Sequence, residues 1–295
     1  MNSWCGYEER RDYSNPDNMD LEGVRKVVEQ LRGGAKGRLS YDQIRIVMSQ
    51  WAKWGVYQTY TLPEPLPVHR ARRLEDEKWF KLVQDLGNPK PEETVAYGRC
   101  HQPKHPLCYC SLYEDIALAE INAELGKRYA IATFTMPKDI VLIQVGELDY
   151  FRRTGSTRIG HEFPQSAEPY KQALSEEDRL VASLIDAFLA DEFIRPATTQ
   201  VDYKITSALS DVLLNGDLNP SIPIDAIAYP SVAFRDGLNF AIRTEAVRSK
   251  MKLDPTQTRI VEITDVVGYG IFTWKELAIL KSINSDGILC WEELA

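Results

Sequence analysis

The sequence has no apolar run near the ~20 residues that a membrane-spanning helix requires. Its opening stretch, MNSWCGYEERRDYSN, holds no apolar h-region, so a secretory signal is not expected there. Positive charge is in deficit. Lys and Arg total 35 against 43 Asp and Glu, for a net charge of -8, which disfavours a broad nucleic-acid-binding surface. Glycine never falls into a G-x-G-x-x-G run after a strand, so a Rossmann dinucleotide unit is not supported. Cysteine is sparse, odd in number and unevenly placed. With no signal segment, reduced thiols in the cytoplasm are the expectation. Internal repeats and low-complexity tracts are missing too. What remains is a 295-residue chain of ordinary globular composition, long enough for one large core or two domains.

Residues 1 to 19 are polar and aromatic and read as an irregular arm. A helix is expected after Asp20, with Leu21, Val24, Val28 and Leu31 on one face and Gly33-Gly34 as its end. A second is expected from Ser40, with Gln43 closing a capping box, Trp51 on the apolar face and Gly55 as the stop. The pair reads as a helical hairpin used for packing; partner docking and a DNA-reading helix-turn-helix are the alternatives. Leu62-Pro63-Glu64-Pro65-Leu66-Pro67 is a stiff connector, so a domain boundary is placed there, dividing 1–60 from 61–295. Beyond it, β-rich runs alternate with helical ones. Strands are expected at 68–72, 106–111, 129–135, 140–145, 226–229, 238–243, 258–263 and 270–274. Helices are expected from Ser111 to Gly126, from Ser175 to Phe188 and from Tyr203 to Leu214. The fold class is α+β: a mixed sheet with flanking helices, an N-terminal helical hairpin and a β-rich C-terminal extension.

Tyr97 to Asp115, YGRCHQPKHPLCYCSLYED, concentrates Cys100, His101, His105, Cys108 and Cys110. Structural zinc usually takes two spaced ligand pairs, and no second pair occurs. Alternate strand residues lie roughly 6–7 Å apart, too far for two short zinc–sulfur bonds unless the strand bends. Cys108 and Cys110 are therefore better read as small buried residues on one sheet face, with Tyr109 on the other. Ser282 to Gly287, followed by Glu293, has the glycine and final glutamate of a calcium loop. It lacks the first aspartate, and Ser285-Asp286-Gly287 reads more simply as a hairpin turn.

Glu120 stands out instead. It lies among Ile116, Ala117, Leu118, Ala119, Ile121 and Leu125, so the helical reading buries a carboxylate, which is costly without partners or a task. Arg70 and Tyr109 lie inside expected strands, Arg99 precedes one, Ser231 ends another and Asn239 opens the next. Each has a plain alternative: Arg70 paired with Glu120 in the core, Tyr109 as core, Ser231 as a turn cap.

Their order carries more than any one of them. H-R-A at 69–71, Y-G-R at 97–99, L-C-Y-C-S at 107–111, A-L-A-E at 117–120 and Y-P-S at 229–231, with G-L-N beyond, resembles the RES-domain family over about 66–245. The family usually has Trp-Asn where this chain has Cys100-His101, and a turn glycine near Lys104. The resemblance implies a fold similar to ADP-ribosyltransferases and an enzyme that consumes NAD+ by hydrolysis or phosphorolysis. Its alternatives are protein ADP-ribosylation or a silent NAD- or ADP-ribose-binding module. It implies Glu120, Arg70 and Ser231 as catalytic residues, and Arg70, Arg99, Tyr109, Ser231 and Asn239 as NAD-binding residues. NAD+ would be a substrate, with phosphate as a co-substrate in the phosphorolytic case, and neither cofactor nor metal is implied. A toxin or phage-defence setting follows, with an antitoxin-like regulator and a homo-oligomer as partner options.

Overall fold

The computed structural model describes residues 20–54, 57, 59–75, 78–158, 175–215, 223–234 and 237–294. Eleven strands among them form one sheet. They are β1 (Thr59–Tyr60), β2 (Leu66–Arg73), β3 (Leu107–Ser111), β4 (Arg128–Met136), β5 (Leu142–Gln144), β6 (Ala226–Pro230), β7 (Leu238–Arg243), β8 (Lys252–Leu253), β9 (Arg259–Gly268), β10 (Ile271–Ile283) and β11 (Leu289–Glu293). The order is β1-β5-β6-β7-β3-β2-β4-β9-β10-β11, with β8 beside β4. Only β5 and β6 pair in parallel, so the sheet is mixed and the class is α+β.

Strand alternation divides the residues between two faces. On β3, Cys108 and Cys110 join Val68, Phe134, Phe240 and Ile242 in one apolar cluster. Leu107 and Tyr109 point the other way, into a cluster shared with helices. Those helices are α1 (Leu21–Gln30), α2 (Tyr41–Trp54), α5 (Glu176–Ile194) and α6 (Lys204–Leu214). The N-terminal helices do not stand apart from the rest. Val24, Ile44, Met48 and Trp51 are buried in the same cluster as Phe188, Leu209, Ile227 and Ala241. Further along this face, α3 (Glu114–Glu120) covers β2, β4 and β9 through Ala117, Leu118, Ala71, Ile131 and Val261. The two helix groups flank the strands that carry the site.

Several ends follow local chemistry as expected. Asp20 caps α1, accepting from the Gly23 amide at 2.8 Å. Ser40 and Gln43 make both bonds of the capping box, at 3.2 and 2.9 Å. Ser175 caps α5 through the Asp178 amide at 3.1 Å. The turn at 284–288 joins β10 to β11, with Gly287 at φ 74°.

Other ends differ. Gly33-Gly34 does not stop the first helix; the chain passes through a π turn at Leu31–Ala35 into a further helical turn at Lys36–Arg38. The helix read as Ser111 to Gly126 is only Glu114–Glu120, because Asn122 takes φ 51° and breaks the ladder. Ser111 belongs to β3, and its hydroxyl donates to Asn239 instead of capping. β9 and β10 run past the expected 258–263 and 270–274. Helices α4 (Glu147–Thr154) and α7 (Thr244–Ser249) are also additions to the expected set. The N-terminal arm, Gly55, Gly216 and the Arg235-Asp236 part of the expected turn lie outside the described residues.

Candidate functional site

Glu120 is the last residue of α3. A carboxylate is disfavoured at a helix C-terminus, where backbone carbonyls already concentrate negative charge. Three donors offset this. Ser231 Oγ donates to Glu120 Oε1 at 2.6 Å, Asn239 Nδ2 at 2.7 Å and the Val232 amide at 3.2 Å. All three bind the same oxygen. Oε2 has no hydrogen bond among the described residues. The sequence reading buried Glu120 inside an apolar helix, and the structure corrects this. Ile121 and Leu125 are exposed, and Glu120 itself is half-buried at the end of a short helix.

The donors are themselves held. Ser231 Oγ accepts from the Ala233 and Phe234 amides, both at 3.1 Å, so its one proton is left for Glu120. Asn239 Oδ1 accepts from Ser111 Oγ at 2.6 Å, which fixes its amide with nitrogen toward the carboxylate. Gly237 lets the loop close. A Cβ there would sit 2.7 Å from Ile116 Cδ1 and 3.0 Å from the Phe234 carbonyl oxygen. Ile116 lies one helical turn before Glu120, so this approach presses α3 onto the Ser231 loop.

Register extends the network across the sheet. Thr133, His69, Ser111, Asn239 and Tyr229 are successive cross-strand partners on β4, β2, β3, β7 and β6. Four of the five are buried, and His69 is partly so. Thr133 Oγ1 donates to the Gln257 carbonyl at 3.0 Å, so it accepts from His69 Nδ1, also at 3.0 Å. This tautomer leaves the lone pair on Nε2.

Burial, with Arg259 nearby, pulls the His69 pKa down to about 4. Between that value and the ordinary ~6.5, the unfolded chain carries a proton on this ring and the folded chain does not. Stability from His69 is therefore present above pH ~6.5 and lost as pH falls towards 4. Urea midpoints at pH 7.5 and 4.5 are expected to differ more in the wild type than in His69→Gln; equal differences would refute the assignment.

The expected site residues do not all gather. Glu120, Ser231 and Asn239 meet. Tyr109 shares their face, but its hydroxyl is tied to the Cys100 amide at 2.9 Å and to His101 Nδ1 at 2.7 Å. Arg99 is committed elsewhere. Its Nη1 donates to the Phe193 carbonyl at 2.6 Å, closing the C-terminus of α5, and its guanidinium lies 5.5 Å from the Tyr203 ring. Arg70 is corrected outright as a neighbour of Glu120. Alternation on β2 puts it with Val68 on the Cys108–Cys110 face, where its Nη1 donates to the Tyr109 carbonyl at 2.9 Å. Its Nε is buried without an acceptor among the described residues.

The sheet also separates the cysteines that suggested zinc. Cys100 lies in the helix-side cluster, while Cys108 and Cys110, their sulfurs 3.8 Å apart, lie in the other. Sequence reasoning gave no role to His69, Thr133 or Tyr229 and misassigned Ser111. Their signal is cross-strand register, which neighbouring residues in sequence do not reveal.

A family model described as the RES domain matches residues 67–263, two-thirds of the chain. The protein belongs to the RES-domain family. RES domains are associated with NAD+-using enzymes of toxin–antitoxin systems. The match begins in β2 and ends in β9, enclosing Glu120, Ser231 and Asn239. Neither the curated proteins nor the solved structures contain a match to this chain. Among the described residues, no helix is long and apolar enough to cross a membrane.

Proposed function

We propose that this RES protein cleaves the nicotinamide–ribose bond of NAD+, passing the ADP-ribosyl group to water or phosphate. The observation that carries this reading is the division of labour at Glu120: three donors hold Oε1, and Oε2 is left for a ligand. Breaking the bond sends its electron pair to nicotinamide, which leaves neutral, and positive charge develops on the ribosyl carbon. Oε2 can stabilise that charge, accept from a ribose hydroxyl, or take the proton of attacking water. NAD+ is a substrate in this reading rather than a recycled cofactor, and phosphate is the alternative acceptor. A toxin or defence effector under an antitoxin-like regulator is the matching biological setting.

Ser231 acts through Glu120 as a positioning residue. A hydrogen bond to a charged group is worth about 1.5–3 kcal/mol. Ser231→Ala is therefore expected to lower kcat roughly 10- to 100-fold with little change in KM; an unchanged kcat would remove Ser231 from the reading. The direct experiment is nicotinamide release by the purified protein with and without phosphate. Release dependent on phosphate, with ADP-ribose-1-phosphate formed, assigns phosphorolysis; release with free ADP-ribose assigns hydrolysis. Release with ADP-ribose retained on protein assigns transfer, and no release overturns the proposal.

A further inference from the structure

A region of the described residues away from Glu120 forms a cavity. It is an open hollow of about 660 Å³ at the other end of β3, bordered by Leu107 rather than Ser111. Four residues of strand, about 13 Å, separate those ends. The volume lies within the ~300–1,000 Å³ of small-molecule sites.

Five basic side chains, Arg72, Lys90, Lys104, Arg243 and Arg248, border it together with four acidic ones, Asp85, Glu93, Asp211 and Glu245. Lys104 and Arg248 have no carboxylate within ion-pair distance among the described residues. Arg72 makes no ion pair either. Its Nη1 donates to the Asp85 carbonyl, and its guanidinium rests 5.3 Å from the Phe80 ring. Arg243 is 3.6 Å from the exposed Glu245 and donates to the Leu214 carbonyl at 2.9 Å.

The acids around the rim are engaged. Asp85 Oδ2 accepts from the Leu82 amide and Glu93 Oε2 from the Lys90 amide, at 3.0 and 3.3 Å. Asp211 is paired with Arg45 at 2.5 Å. One further donor borders the hollow: Asn88 Nδ2 is buried with no acceptor among the described residues. Lys104 and Arg248, without a carboxylate partner among the described residues, are the cations that an anion in the hollow would pair. Burial, then the neighbouring Arg70, pulls the Arg72 pKa down against the opposing charges of Glu93 and Asp85, and a bound anion would act in the same sense as those carboxylates.

We propose that this hollow is a second site, separate from Glu120, for a phosphate-bearing small molecule. Guanidinium forks and ammonium groups suit phosphate oxygens. The reading is independent of NAD+ cleavage, since it uses none of the residues around Glu120.

Isothermal titration with pyrophosphate, inorganic phosphate and AMP tests it on wild type, Glu120→Ala and the double variant Lys104→Glu/Arg248→Glu. Both charge-reversed positions are exposed, so circular dichroism is expected to match the wild type. The proposal expects wild type and Glu120→Ala to bind alike and the double variant at least tenfold more weakly. AMP binding tighter than phosphate assigns a nucleotide, and equal binding assigns free phosphate; either supports the site. Undiminished affinity in the folded double variant, no saturable binding by wild type, or a loss confined to Glu120→Ala would each overturn it. Nicotinamide release is read separately, so failure here leaves the cleavage reading standing, and the reverse also holds.

Discussion

Glu120→Ala is expected to abolish nicotinamide release, a loss of roughly 10²- to 10⁴-fold if the carboxylate serves as the acid–base or charge-stabilising group. The substitution removes a half-buried charge and frees Ser231 Oγ, Asn239 Nδ2 and the Val232 amide, so binding and folding must be measured beside turnover. Glu120→Gln is the sharper variant. It can keep an oxygen towards the three donors while removing the charge. A Gln variant with wild-type turnover would exclude ionised Glu120 from the reaction. In a host cell, relief of toxicity by both variants is the parallel outcome expected of an unrestrained NAD+ consumer.

Trp51→Ala is expected to destabilise the protein by about 3–5 kcal/mol, the usual cost of truncating a buried aromatic. Trp51 is 2% exposed and packs edge-on against Phe188 of α5, with ring centroids 5.5 Å apart. The effect reports on more than one side chain. If residues 20–54 were a detachable annex, the sheet would unfold in a separate transition with its own midpoint unchanged. The shared apolar cluster instead predicts one transition, shifted to lower urea. Two transitions, with only the smaller one moved, would refute that.

Much of the fold follows from short-range chemistry. Asp20, Ser40 and Ser175 announce their helices because a cap is decided within three residues. Cys108, Tyr109 and Cys110 announce their faces because a strand has period two. Glu120, Ser231 and Asn239 are legible through the order of family motifs, and they do meet. Arg70 and Arg99 show the limit. A motif names a residue type but not the face it occupies, and Arg99 finds its partners 93 to 96 residues away at the end of α5. The early end of α3 has a similar origin. Its apolar pattern continues to Leu125, but the backbone turns left-handed at Asn122 and leaves Leu125 exposed. The Ser111–Asn239 bond depends on pairing across 128 residues, which no window along the chain can contain.

That same distance has a consequence for the making of the protein. Glu120 leaves the ribosome 119 residues before Asn239, the donor that helps orient its carboxylate. At ~5–20 residues per second, synthesis of the intervening stretch takes roughly 6–24 s. Throughout that interval the nascent chain has the carboxylate but not the asparagine, and for the first 111 residues of it not the serine either. On the cleavage reading proposed above, a chain released or cleaved before residue 239 is expected to be inactive, since the carboxylate gains its full set of donors only when the second half of the sheet closes on the first.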